Sequence, residues 1–415
     1  MTDKDRIRET VQNLLPETES FLCDIMRFPS TPGREQEEME FLCGAFGALG
    51  ADVEKAEMAD DLLDDPDYCD PVPGLHYDGR FNLSVVRRGT GGGRTVVLNA
   101  HADVVPPSEG MDDAWNPRVE NGVVFGRGAC DAKGQVATVF LALRALQNLG
   151  ATLRGDVVAH LVVEEENGGN GTLAMVRRGV EADACIVLEP TGGKLMTSVR
   201  GAVWFRVALR GTAGHTAQAS RSSSALLMAR DAIAVLEKYH DDLLAASRGF
   251  PLFDPIPNPM PINFGRLEAG SWPATVPSRA VLEGVLGLLP NKTKEQVCEE
   301  MNRALKEANN EFLAKNFELS FMYRHDSSVL DPEHELPQGL LKAADEIGAS
   351  LGLGGMPASC DAWFYNNQLG IPTVVCGPGA LGVAHSKDEQ IDMQDIAKAA
   401  EVLVTFLIEY CGASE

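Results

Sequence analysis

At 415 residues, with 44% apolar and 23% charged positions, the chain is soluble and globular in composition and too long for one ordinary core. Its formal charge of −24 argues against nucleic acid or an anionic membrane surface as partner. Nine cysteines, an odd number scattered from Cys23 to Cys411, fit reduced thiols in a cytoplasm better than a disulfide framework.

The N-terminal stretch Met1-Thr-Asp-Lys-Asp-Arg opens a polar helix and lacks a signal peptide's apolar core, and no run of 18 apolar residues offers a membrane span. Apolar spacing predicts helices over 4–28, which Pro16 can interrupt, and over 34–49. Residues 58–80 form an acid-rich insertion, read either as a solvated loop or as a flap beside an active site. Four short Val-, Ile- and Leu-rich runs, 95–99, 156–163, 184–188 and 372–376, read as strands covered on both faces. Helical spacing in Val136, Val139, Phe140, Leu143 and Leu146, and again over 336–351 and 392–411, places helices between and after them. The expected fold class is therefore α/β, a mostly parallel sheet with helices on both faces.

The middle of the chain departs from this pattern. Strand 202–209, helix 222–240, a Pro-rich stretch, strands 262–267 and 279–289, helix 293–313 and strand 318–323 follow one another. Thr293 and Gln296 stand at capping-box spacing. The order predicts an inserted α+β, ferredoxin-like lid or dimerisation domain at 199–328, leaving 1–198 and 329–415 as a discontinuous catalytic domain.

Each apolar strand runs into a metal-ligating side chain: His101, the run Glu164-Glu165-Glu166, Glu189, and His385 beyond Gly377-Pro-Gly. In an open parallel sheet, ligands collect outside the carboxyl ends of the strands, so these residues are expected to converge. Asp131 sits in the glycine-rich turn Gly126-Arg-Gly-Ala-Cys-Asp-Ala-Lys-Gly134 and is expected to bridge two metal ions. Clustered buried carboxylates require counter-charge, which two divalent cations supply, and mixed His and carboxylate donors suit Zn²⁺, with Co²⁺ or Mn²⁺ as alternatives. Asp103, two residues after His101, is within reach of the ring's far nitrogen and is expected to orient it.

These motifs resemble the co-catalytic di-zinc family of acetylornithine deacetylase, succinyl-diaminopimelate desuccinylase, aminoacylase and glutamate carboxypeptidase. The residues that carry the resemblance are His101-Ala-Asp103, Gly126-Arg-Gly with Asp131-Ala-Lys-Gly134, Glu165-Glu166-Asn-Gly168, Glu189-Pro-Thr191, Gly214-His215 and Ala384-His385-Ser. The resemblance implies that His101, Asp131 and Glu189 hold one metal, that Asp131, Glu166 and His385 hold the other, and that Glu165 is the general base. It implies further that His215 reaches the oxyanion, often from the partner subunit of a homodimer joined through the inserted domain. Asn263 and Arg279 flank the strand pair after the Pro-rich stretch and are candidates for contacting substrate. One departure stands out: many members carry a carboxylate-binding Arg where this chain has Gly287; either Arg279, Arg324 or Arg200 replaces it, or the substrate lacks that carboxylate contact.

The expected activity is deacylation of a small N-acyl amino acid, with a dipeptidase or carboxypeptidase as the alternative. Two remote readings remain, a non-catalytic binding protein on the same fold and a dinucleotide-binding oxidoreductase. The second rests on Gly377-Pro-Gly379-Ala-Leu-Gly382, which does not open directly into a helix as a pyrophosphate site must.

Overall fold

The computed structural model describes residues 3–413 except 216 and 218–222. A nine-stranded sheet takes strands from both ends of the chain, in the order 52–57, 81–87, 157–162, 96–101, 184–187, 373–375, 194–199, 328–329, with 352–356 also paired to 194–199. Its centre, 157–162 to 96–101 to 184–187 to 373–375, is parallel. Antiparallel strands extend it on either side. Every residue of Val96–His101, Ala184–Val187 and Thr373–Val375 is buried, so both faces of the centre are covered, as their apolar runs require. Helices Asp3–Met26, Lys133–Asn148 and Met393–Tyr410 pack on one another, and Glu335–Glu346 packs on the last. Pro16 lies inside the first helix without ending it. Gly150, at φ +64°, closes helix Lys133–Asn148, its neighbour Ala151 donating back to the Leu146 carbonyl.

A second, antiparallel sheet of four strands is formed only from the middle of the chain, in the order 262–269, 279–288, 201–210, 317–325. Its own core joins Phe205, Leu236, Leu282, Val297 and Leu305. The capping box at Thr293 and Gln296 is present, and helix Lys294–Lys306 starts there. The expected helix 293–313 divides because Asn310 accepts from the amides of Phe312 and Leu313 and starts a separate turn, Glu311–Lys315. Ser224 caps helix Ala225–Ala246, which runs further than expected; its predicted start at 222 lies outside the described residues.

The acid-rich stretch 58–80 is not a freely solvated loop. After a short 3₁₀ turn, Asp60–Asp64, it buries Leu62, Cys69 and Tyr77 beside the loop that carries Glu164–Glu166. All nine cysteines are free, and no helix among the described residues is long and apolar enough to cross a membrane.

Candidate metal centre and active site

The parallel strands deliver their side chains to one place. Val96–His101 ends on His101, Val157–Val162 leads into Glu164–Glu166, and Ala184–Val187 leads to Glu189. Asp131 arrives from a turn in which Gly126 and Gly128 adopt φ of 142° and 82°. His385 arrives from the loop after Thr373–Val375 with φ +56°, a conformation unusual for a residue with a side chain. Its carbonyl is tied down by the Ser108 hydroxyl at 2.8 Å.

Asp131 lies between the two histidines. Its Oδ1 is 3.2 Å from His101 Nε2 and its Oδ2 is 3.2 Å from His385 Nε2. His385 Nε2 is also 3.0 Å from Glu166 Oε1, while Glu189 Oε2 lies 3.9 Å from His101 Nε2. His101 belongs to two groups whose donor atoms all lie within 4.8 Å of one another, one with Asp131 and Glu166, the other with Glu165 and Glu189. All five expected ligands and the expected base therefore meet, although they are far apart in sequence.

The electrostatics agree with a cation site. Burial drives the carboxyls of Glu165 and Glu189 well above their ordinary range, and burial together with the Asp131 charge pushes Glu166 up to about 7. Burial opposes ionisation of Asp131 too, but the two imidazoles hold its carboxyl well below the usual range. The carboxylates of Asp131 and Glu166 in turn push His385 up to about 10. Two imidazoles do not neutralise four carboxylates at such a burial; divalent cations do. The donor set, histidine and carboxylate with no thiolate, fits that role.

Asp103 does more than its spacing suggested. The close partner of His101 Nδ1 is the Asp103 backbone carbonyl at 2.9 Å, with the carboxylate at 3.5 Å. The carboxylate instead accepts the amides of Glu165 and Glu166, each at 3.1 Å, and so orients the loop that carries them. Glu164, at φ +62°, turns away into a buried ion pair with Arg80 and hydrogen bonds from Tyr77 and Asn170, both at 2.9 Å.

Several residues were missed. Glu389, 1% exposed, accepts the amides of Cys130 and Asp131 at 3.0 Å each and pairs with Arg127, fixing the Asp131 turn. Its only sequence signal was its closeness to His385. Lys133 is fully buried, paired with Glu38 at 2.8 Å and donating to the carbonyls of Ile25 and Phe28. It anchors the helix that begins just after Asp131. Asp361 lies behind the cluster and accepts from Thr172 at 2.6 Å, and Thr172 accepts in turn from Asn99, two positions before His101.

The other expected contacts lie on the inserted lobe. His215 is exposed on the two-residue strand Gly214–His215, its Nδ1 accepting from Ala217, while the neighbouring Thr216 lies outside the described residues. Asn263 and Arg279 are exposed on the antiparallel sheet; among the described residues neither bonds to the cluster. Gly287 is explained by crowding: a Cβ there would stand 2.8 Å from the Met260 backbone and 3.0 Å from Arg200 Nη1. Of the three candidate replacements, Arg200 is thus the one beside Gly287. Arg324 donates to the Pro66 carbonyl at 2.8 Å, and Arg279 pairs across the sheet with Arg210.

A parallel-centred sheet with histidines and carboxylates gathered at its strand ends, joined to an inserted α+β lobe, defines a hydrolase of amide bonds with a candidate metal site. The chain belongs to peptidase family M20/M25/M40, whose pattern matches residues 97–409. It is 24% identical over 412 residues to the N-formyl-4-amino-5-aminomethyl-2-methylpyrimidine deformylase of Bacillus subtilis (strain 168), covering 92% of each chain. It is 25% identical over 335 residues to the acetylornithine deacetylase of Myxococcus xanthus, covering 80% of this chain and 85% of that one. In fold it is similar to the dipeptidase Dug1p of Saccharomyces cerevisiae, with a TM-score of 0.82 at 14% identity over 100% of this chain and 99% of that one.

Proposed function

We propose that this chain is a two-metal deacylase that cleaves the amide of a small N-acyl amino acid. The observation that carries the reading is Asp131, whose two carboxylate oxygens face opposite histidines at 3.2 Å, the arrangement of a ligand shared by two ions. In this reading His101, Asp131 and Glu189 would hold one ion, and Asp131, Glu166 and His385 would hold the other, with zinc the best match to the donors. When bound, the ions would acidify the attacking water and polarise the scissile carbonyl. Glu165 takes the water's proton and returns it to the leaving amine. Asp103 keeps Glu165 and Glu166 aimed by holding their amides, and His101 keeps its orientation through the Asp103 carbonyl.

The division of the chain at 199 and 328 belongs to the same proposal, with the inserted lobe as lid and as the contact of a homodimer that brings His215 to the oxyanion. Asn263 and Arg279 are its substrate contacts on the lobe. Nine free cysteines support a reducing, cytoplasmic setting. That full-length relatives are a deformylase and a deacetylase favours deacylation over the peptidase alternative.

Elemental analysis beside hydrolysis of N-formyl, N-acetyl and N-succinyl amino acids and a set of dipeptides, before and after chelation, tests the reading. About two metals per chain and chelator-sensitive cleavage of an N-acyl amino acid would support it. Cleavage of dipeptides alone would replace it with the peptidase alternative. No metal after reconstitution with Zn²⁺, Co²⁺ or Mn²⁺ would overturn the metal assignment.

Arg200 gives a sharper expectation about substrate. Its guanidinium donates to the carbonyls of Pro357 (2.6 Å) and Gly201 (3.1 Å), and among the described residues no carboxylate lies within 4.0 Å of it. Burial pulls it down to about 10. A half-buried cation without a counter-charge is suited to a substrate carboxylate. Arg200→Met is expected to raise KM about ten- to hundredfold for substrates that carry a free carboxylate, and to leave KM unchanged for their amides. Equal KM changes for both would remove Arg200 from substrate recognition.

A further inference from the structure

The acid-rich insertion touches both halves of the molecule, and one short segment, residues 65–70, does most of this. Toward the sheet it grips the loop that bears the base. The Cys69 amide donates to Asn170 Oδ1 at 3.0 Å, and Asn170 Nδ2 returns a bond to the Cys69 carbonyl at 2.9 Å and another to Glu164 at 2.9 Å. Cys69 packs so closely on Gly168 that a Cβ at Gly168 would stand 2.2 Å from the Cys69 Cβ. Asp65 and Asp67 both pair with Arg177, in the helix Asn170–Arg177 that follows the loop, at 2.7 and 3.0 Å.

Toward the inserted lobe Cys69 Sγ stands 4.0 Å from His325 Nε2, and the same segment makes three further bonds. The Asp70 amide donates to the Met322 carbonyl at 2.8 Å, the Pro66 carbonyl accepts from Arg324 at 2.8 Å, and Asp67 Oδ1 pairs with Lys294 Nζ at 2.7 Å. Lys294 stands at the start of the lobe's helix Lys294–Lys306 and has only 11% of its side chain exposed. Its Nζ lies 4.4 Å over the ring of Trp363, two residues from Asp361. An exposed ion pair contributes little, but a largely buried one with a ring beneath it is held in place by its surroundings and fails badly when one partner is removed.

We propose that segment 65–70 is a positioning strap for the reaction: through Asp67 and Lys294 it sets the inserted lobe, and through Cys69 and Asn170 it sets the Glu165–Glu166 loop, so that the two are placed by one piece of chain. The mechanical consequence is specific. Breaking the link on the lobe side loosens the base-bearing loop on the sheet side, although Lys294 itself does not touch that loop. The roles of Glu165 and Glu166 rest on the proposed function; the linkage between lobe and loop does not.

The test therefore reads the linkage without catalysis as well as with it. In the full-length, zinc-loaded protein, Lys294→Met and Asp67→Asn are each compared with wild type by amide hydrogen exchange. Both variants are expected to speed exchange about tenfold in 65–70 and in 164–170, with helix Met393–Tyr410 unchanged and metal content unchanged. Lys294→Arg, which keeps the charge, is expected to restore protection. With N-acetyl-L-ornithine and N-acetyl-L-methionine as probes, kcat is expected to fall about tenfold in the first two variants with little change in KM. Exchange that rises only within 65–70 and 294–306, leaving 164–170 at the wild-type rate in both variants, would overturn the strap. Absence of turnover in the wild type would count against the deacylase reading alone, because the exchange result would still decide the linkage.

Discussion

Replacing Glu165 by Gln is expected to lower kcat by about 10²–10⁴-fold while the protein keeps its full complement of metal. The expectation rests on what the substitution removes: one proton acceptor, with the shape of the side chain retained. The geometry makes the experiment decisive, because Glu165 also lies within 4.8 Å of His101 and Glu189 and could in principle be a ligand. If it were, Glu165→Gln would lose metal and activity together, and excess Zn²⁺ would recover part of the rate. If it is the base, no concentration of metal recovers the rate. In the metal-free protein burial, and then the neighbouring Glu189 charge, raise the Glu165 carboxyl well above its ordinary range. Wild-type turnover in the variant would end the assignment.

The convergence of most of the candidate ligands was legible in the sequence because two independent signals coincide at them. A buried strand has an apolar signature, and the residue just past its end is where a parallel sheet presents chemistry, so His101, Glu165, Glu166 and Glu189 were placed by strand prediction as much as by type. The βαββαβ order of the middle was legible for a similar reason: alternation in 201–210 and the helical period in 225–246 and 294–306 are both strong. What could not be read was any pairing that depends on where two loops meet. Glu389 and Arg127 lie 262 positions apart, and nothing local in Glu389 announces that it will cap the Asp131 turn. Strand Asp52–Glu57 hid behind its charges because it is an edge strand with one covered position, Ala56. Strand Gly352–Met356 hid for the opposite reason, since a short Gly-rich segment carries little β signal. The two readings of 58–80 differed only in what it packs against, a tertiary fact decided by Tyr77, Cys69 and Arg80 meeting Glu164 and Asn170.

Asp131→Ala is expected to abolish binding of both metals, whereas Glu189→Gln or His385→Ala is expected to weaken one site and leave the other. The difference follows from where Asp131 stands. Each of its oxygens faces a different histidine, so its loss opens both sites, while of the two histidines Glu189 lies near His101, and His385 lies near Glu166 and Asp131. Thermal unfolding with and without Zn²⁺ separates these outcomes without a substrate. Ligands that bind only the folded state stabilise it by about 4 kcal/mol when present at about a thousand times their dissociation constant. Wild type is therefore expected to gain several degrees in Tm on loading. Glu189→Gln is expected to gain part of that increment, and Asp131→Ala none. The metal-free Asp131→Ala protein is not expected to be less stable than metal-free wild type by the same amount, because the substitution also removes one of several crowded carboxylates from a buried cluster. A full Zn²⁺-dependent gain in Asp131→Ala would mean that the ions do not share this carboxylate. The groups of His101 with Glu165 and Glu189, and of His385 with Glu166, would then have to act as separate sites.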